Sequence, residues 1–240
     1  GYLNQPTVVN NVETFIAAAQ TILHGADWLS SVGTDKSTGT KLLSISGDCA
    51  YPGIYEYPFG TTIQTILADC GALDTQAVQV AGAAGMTIPP AQFDRVIAYE
   101  DLSTAGSLMI FNRQRNLLDM VQNFAHFFVH ESCGFCTPCR VGGSLLKDLV
   151  DKICCGHASS YDLEEMRRIG AIMQETSFCG LGATAANPVI ESLQNFPEVY
   201  ARSITQSDYE PAFDLDAALE QARQLSHRDD PASHIQTEKS

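Results

Sequence analysis

Basic side chains are scarce in this chain. Its 240 residues carry 14 Lys and Arg against 28 Asp and Glu, a formal charge of -14. Such a surface repels phosphates, which excludes nucleic acid as an expected partner. Long apolar runs are also missing: no stretch approaches the roughly 20 residues needed to cross a bilayer, so no direct membrane insertion is expected. No charged-then-apolar leader opens the chain, and Gly1 stands where an initiator methionine would be expected, which suggests a cut or a gap. A cytosolic or membrane-peripheral protein is left, and eight cysteines without a secretion signal point to a reducing compartment, the cytoplasm, where thiols serve metals better than disulfides. Two familiar motifs are absent as well. Gly82-Ala83-Ala84-Gly85 lacks the lysine and Ser/Thr of a phosphate loop and the spacing of a dinucleotide fingerprint, and reads as a surface turn. His126 and His130 lie four apart but belong to no H-E-x-x-H motif, which favours ordinary polar roles for both.

What the chain does have is three thiols crowded into one loop, His130-Glu131-Ser132-Cys133-Gly134-Phe135-Cys136-Thr137-Pro138-Cys139-Arg140. An iron-sulfur cubane takes four thiolates, and a C-x2-C-x2-C run with one remote cysteine is a known way to supply them. Zinc is the structural alternative, but its usual ligands come as two separated pairs. A disulfide scheme fits less well, because three cysteines so close leave one unpaired and adjacent bridges strained. Cys179 is the leading fourth ligand. Cys154, Cys155 and His157 compete, but they follow a helix that carries them about 20 Å away at 1.5 Å per residue, whereas an antiparallel return brings Cys179 back. Gly134 allows a tight backbone path and Pro138 stiffens the loop before its last thiol. Arg140 can offset the charge of a tetrathiolate cluster, and Phe135 and Phe178 could shield it from water.

The remaining pattern is α+β. A helix with Phe15, Ile16, Ala19, Ile22 and Leu23 at helical spacing follows Asn10 and Asn11, which as short amides read as turn and cap residues. Runs at 42–46 and 54–57 make a hairpin around the Pro52-Gly53 turn. Thr61 or Thr62 caps a short helix carrying Ile63, Ile66, Leu67 and Cys70, and strands follow at 76–81 and 107–111. Cys49 and Cys70 need no role beyond that of small hydrophobes. Four helices come next: one from about Asn116 to Glu131, one carrying Leu145 to Ile153, one opened by a box-like Asp162-Leu163-Glu164-Glu165, and one with Pro188 in its first turn. They are expected to fold up and down around one cluster. Leu215, Leu219, Ala222 and Leu225 suggest an amphipathic helix after Asp214, and 226–240 reads as a polar, mobile tail.

Pro6-Thr7-Val8-Val9-Asn10-Asn11-Val12-Glu13-Thr14, the segment from Gly47 to Tyr57-Pro58-Phe59-Gly60-Thr61-Thr62, the cysteine loop and Ser177-Phe178-Cys179 occur in an order that resembles the NADH-binding flavoprotein (diaphorase) subunit of respiratory complex I and its relatives, over about residues 1–200. The resemblance implies a small soluble-ligand-binding β-grasp module across 36–112, followed by a four-helix 4Fe-4S domain across 113–200. Residues 1–35 would be the C-terminal end of an FMN- and NADH-binding domain, and 201–240 an extension. It places Asn10, Asn11 and Thr14 beside FMN, in contrast to the plain capping role, and makes Cys133, Cys136, Cys139 and Cys179 the metal ligands. Gly134-Phe135-Cys136, Arg140-Val141-Gly142 and Cys179-Gly180-Leu181-Gly182 are more similar to diaphorase subunits of NAD-reducing nickel-iron hydrogenases and NAD-dependent formate dehydrogenases than to complex I, and the hydrogenase type is favoured. The family's glycine-rich loop, which holds NADH and most of the FMN, would lie upstream of Gly1, so this polypeptide alone is expected not to oxidise NADH. The implied role is a relay of single electrons between FMN and the clusters of a partner iron-sulfur subunit within an NAD-dependent oxidoreductase complex. The same relay in a formate dehydrogenase or in complex I is the alternative, and a zinc-stabilised interaction module without redox chemistry is the alternative of another class.

Overall fold

The computed structural model describes residues 1–204 and 215–229; Asp214 and the tail from 230 onward lie outside the described residues. Asn11 starts the first long helix. Its Oδ1 accepts the Glu13 N–H at 2.8 Å, satisfying one of the donors that a helix start leaves free. α1 (Val12–His24) then runs to Gly25, where a φ of +91° ends it, and α2 (Ala26–Ser30) follows. Neither helix has a buried residue, although α1 presents Val12, Phe15, Ile16, Ile22 and Leu23.

β1 (Thr40–Gly47) and β2 (Gly53–Pro58) form the expected antiparallel hairpin, with Leu43 opposite Tyr55. α3 (Ile63–Asp69) is capped by Thr62, whose Oγ1 accepts the Thr65 N–H at 3.1 Å. β3 (Thr75–Val80), β4 (Met86–Ile88) and β5 (Ser107–Asn112) complete a sheet in the order β2-β1-β5-β3-β4. β5 enters between β1 and β3, parallel to the first and antiparallel to the second. Successive side chains of a strand face opposite ways, and β5 uses both faces. Leu108 and Ile110 join Ile63, Ile66 and Leu67 of α3 in one core, whereas Met109 and Phe111 pack on the core of the helices that follow. The sheet is therefore a layer shared by two cores.

Two expectations change here. β4 was not anticipated, because three residues just before Pro89-Pro90 are too few to display an alternation. The Gly82–Gly85 turn is half-buried rather than a free surface turn: Ala83 and Ala84 pack against the helical core, and Asn187 Nδ2 donates to the Ala84 carbonyl at 2.8 Å. A Cβ on Gly85 would stand 1.8 Å from the Val80 oxygen, so the return from β3 needs glycine there.

The helical part comprises α4 (Leu117–Glu131), a π turn at Pro138–Gly142, α5 (Gly143–Cys154), α6 (Ser160–Thr176), α7 (Gly180–Thr184), α8 (Asn187–Asn195) and α9 (Pro197–Ser203); α10 (Leu215–Ser226) lies further along the chain. Leu118, Val121, Phe124 and Phe128 of α4 are buried in one core with Leu146, Val150 and Ile153 of α5, Met166 and Met173 of α6, and Val189 and Leu193 of α8. Each side chain of this size contributes about 1.5–3 kcal/mol on full burial. The capping box of α6 starts earlier than expected. Ser159 is the cap and Asp162 the third helical residue, accepting the Ser159 N–H at 2.7 Å and the Lys152 ammonium at 2.9 Å. The bundle interior is filled by these side chains, so the helices do not surround a metal site. The cysteine loops gather at one end.

Candidate metal centre

α4 ends at Glu131, and Ser132 takes an extended conformation that turns the chain out of the helix. Gly134 follows with φ +77°, the tight path that its position suggested. Pro138–Gly142 then winds as a π turn, a local widening often found at functional sites. α6 runs back to the same end, and Cys179 stands just before α7. Cys133, Cys136, Cys139 and Cys179 line one recess of about 120 Å³, together with Glu131, Ser132, Phe135 and Leu181. Cys136 and Cys139 are buried, while Cys133 and Cys179 are exposed at its mouth.

Two glycines make this convergence possible. A Cβ on Gly182 would meet Ser177 Oγ at 2.6 Å and the Cys139 Cβ at 3.0 Å, and one on Gly142 would meet Met173 Cγ at 2.7 Å. α6 and α7 thus approach the first loop at backbone distance. Neither glycine stood out in the sequence as a site residue; the Gly180-Leu181-Gly182 run directly after Cys179 was the available signal.

The electrostatics favour thiolates. A backbone N–H of Phe178 holds the Cys136 thiol below its ordinary value against the burial that raises it, with further help from the N–H groups of Cys139 and Cys136 and from the Arg140 guanidinium. Arg140 also does a second job that was not foreseen. Its Nη1 donates to the Gly134 and Phe135 carbonyls, and its Nη2 reaches Thr137 Oγ1 at 3.4 Å, so it staples the loop. Phe135 and Phe178 differ from expectation. Their rings lie 5.8 Å apart, but each is 77% exposed, so they stand at the rim and do not cover the recess from water.

The donors present suit a tetrathiolate group. Four thiols frame one recess. Ser177 Oγ, packed against the same Gly182 as Cys139, is buried without a hydrogen-bond partner.

The rival ligands lie elsewhere. Cys154 Sγ is 4.0 Å from the Leu118 carbonyl, at the opposite end of α4, and burial first, then Asp119, Asp151 and Cys155, push its thiol up. Cys155 and His157 sit with it in the turn that closes α5. His126 bonds Asp151 at 2.9 Å and His130 bonds Glu131 at 3.1 Å, the ordinary polar roles expected of them.

Asn11 and Thr14 line a second recess, of about 700 Å³, between α1, α2 and the sheet, together with Gln20, Trp28, Lys41 and Tyr99; Asn10 stands outside its lining and is exposed. Asn11 does cap α1, so its oxygen is committed to the Glu13 N–H. Glu13 was missed in the sequence although it lies within the quoted motif. Its carboxylate accepts the Leu42 N–H at 3.0 Å and pairs with Lys41, tying α1 to β1.

Residues 119–203 match the NADH-ubiquinone oxidoreductase-F iron-sulfur binding region. The chain is 46% identical over 222 residues to the NAD-reducing hydrogenase HoxS subunit alpha of Cupriavidus necator, covering 91% of this chain and 37% of that protein. It is 33% identical over 211 residues to the NADP-reducing hydrogenase subunit HndC of Solidesulfovibrio fructosivorans, covering 83% of this chain and 43% of that one. A crystal structure of an NAD+-reducing NiFe hydrogenase in the H2-reduced state superimposes with a TM-score of 0.83 at 43% identity, over 98% of this chain and 42% of its counterpart. The chain thus spans about two fifths of the length of these relatives.

Proposed function

The chain carries the iron-sulfur binding region of the NADH-ubiquinone oxidoreductase F family, and from that premise we propose that Cys133, Cys136, Cys139 and Cys179 hold a 4Fe-4S cluster in the NAD-reactive subunit of a hydrogen:NAD oxidoreductase complex. The observation that carries the ligand assignment is the convergence of these four cysteines, from the C-terminal end of α4, the π turn and the loop before α7, on one recess. A bound cluster of this type accepts and donates one electron at a time. The residues of this chain bury two of the sulfurs, direct backbone N–H groups at Cys136 and hold the loop through Arg140.

The proposal extends to the rest of the complex. Electrons pass singly between FMN, where hydride chemistry with NAD takes place, and the clusters of a partner iron-sulfur subunit. Residues 1–35 are assigned to the FMN- and NADH-binding domain, with Asn10, Asn11 and Thr14 beside the flavin. The exposed apolar side chains of α1 support this, since a helix without a buried residue has the composition of one that packs on further structure. Residues 36–112 form the β-grasp module, 113–200 the cluster domain and 201–240 an extension, in a cytoplasmic complex. The hydrogenase assignment is supported by the 46% identity to a subunit of such an enzyme; formate dehydrogenase and complex I would use the same relay.

Anaerobic iron and sulfide analysis with EPR of the dithionite-reduced protein tests this. About four iron and four sulfide per chain with a reduced-cubane signal are expected. One zinc and no sulfide would replace the relay with a zinc-stabilised interaction module.

A further inference from the structure

We propose that Ser132 sets the reduction potential of the cluster through a hydrogen bond to the Cys139 sulfur. The inference rests on the ligand set proposed above. Ser132 Oγ lies 3.4 Å from Cys139 Sγ and accepts the Gly134 N–H at 3.2 Å. Proton bookkeeping then decides the direction of the contact. A hydroxyl has one proton and two lone pairs. Gly134 takes a lone pair, and a cysteine that ligates metal is a thiolate with no proton to give. The proton between oxygen and sulfur is therefore that of Ser132.

Burial gives this proton leverage. Cys139 is only 7% exposed, and α7 closes over it at Gly182, so water is kept from competing at its sulfur. A reduced cluster carries one more negative charge than an oxidised one, shared with its sulfurs. A donor aimed at such a sulfur stabilises the reduced state more and raises the potential. The bond at Cys139 comes from a side chain, and sequence change at one position can adjust it.

The test is an EPR-monitored redox titration of the assembled complex with wild-type, Ser132→Ala and Ser132→Thr subunits. At the wild-type midpoint, the ratio of reduced to oxidised cluster is expected to fall about threefold to tenfold in Ser132→Ala, tenfold being about 59 mV for one electron, and to recover in Ser132→Thr. Electron–nuclear double resonance after exchange into deuterium oxide should show an exchangeable proton coupling in wild type that Ser132→Ala lacks. An unchanged or raised midpoint in Ser132→Ala overturns the proposal. If that variant assembles no cluster, Ser132→Thr and Ser132→Val decide by the same ratio, being alike in shape and different in the hydroxyl. If Ser132→Val also fails to assemble, the wild-type spectrum decides, and absence of the exchangeable coupling overturns the proposal. A wild-type complex without a reduced-cubane signal from this subunit would instead overturn the ligand assignment, which keeps the two failures distinct.

Discussion

Gly182 and Cys139 approach so closely that a Cβ on the glycine would stand 3.0 Å from the Cβ of the cysteine, with Ser177 Oγ at 2.6 Å. The contact joins α7 to the C-x2-C-x2-C loop, and it exists because one partner has no side chain. Gly182→Ala is expected to lower iron and sulfide content per chain, because relief of the clash moves α7 and Cys179 away. Overpacking of this kind costs about 1–3 kcal/mol, more than the roughly 1 kcal/mol that alanine gains over glycine inside a helix. Full iron content in Gly182→Ala would show that the loop has room to spare.

Alanine in place of any one of Cys133, Cys136, Cys139 or Cys179 should abolish the cubane signal or leave an incomplete cluster, while Cys154→Ala and Cys155→Ala should keep it. The geometry behind this contrast is the placement of Cys154 beside the Leu118 carbonyl, across the bundle from the recess. An unchanged signal in Cys179→Ala with loss in Cys154→Ala, read by EPR and iron analysis, would move the fourth ligand to the far end of α5.

Glu13 tests the flavin side. Its carboxyl lies below the usual carboxylate range, with burial opposing and the Lys41 hydrogen bond, the Leu42 N–H and the Lys41 charge favouring ionisation. Glu13→Gln weakens the Lys41 pairing while the Asn11 cap on α1 remains. In the assembled complex the expected outcome is faster loss of FMN from the reduced protein, several-fold, with the cluster signal intact. Flavin fluorescence in the filtrate measures it. Retention equal to wild type would mean that α1 is held by other contacts.

The parts of this molecule that were legible in the sequence are those written in one place. A C-x2-C-x2-C run is local, and so is the apolar spacing of α4, whose start at Asn116 and end at Glu131 agree with expectation. The antiparallel return to Cys179 followed from helix lengths. What was not legible depends on contacts between distant segments. The closeness of Gly182 to Cys139, or of Gly142 to Met173, arises only when α6 is laid beside the loop. The turn at Gly82–Gly85 is short and made of small residues, and only the arrival of Asn187 half-buries it. Phe135 and Phe178 flank ligands in sequence, but a place beside a ligand does not fix which way a ring turns, and both stand exposed at the rim.

Asp151 links α4 to α5 and gives the fold a pH dependence. Its Oδ1 accepts from Gln122 Nε2 at 2.8 Å and meets His126 Nε2 at 2.9 Å, and its Oδ2 accepts from Lys147 at 2.9 Å. Against the burial that raises it, the bonds from Lys147, His126 and Gln122 hold the carboxyl down at about 2. A carboxylate with a lower pKa folded than unfolded stabilises the fold above its unfolded pKa and loses that contribution as pH falls through the folded one. From 3.8 to about 2, at about 1.36 kcal/mol per unit, the contribution is about 2 kcal/mol. Solvent screening of a side chain that is 30% exposed reduces it to roughly 1 kcal/mol. Asp151→Asn should therefore unfold at lower urea than wild type at pH 6, and the gap should close between about pH 4 and pH 2 as the wild-type carboxylate is protonated. Cluster loss in acid is common to both proteins and cancels in their difference. A gap that persists undiminished to pH 2 would assign it to packing or to lost hydrogen bonds, and the charge on Asp151 would then have no part in holding α4 to α5.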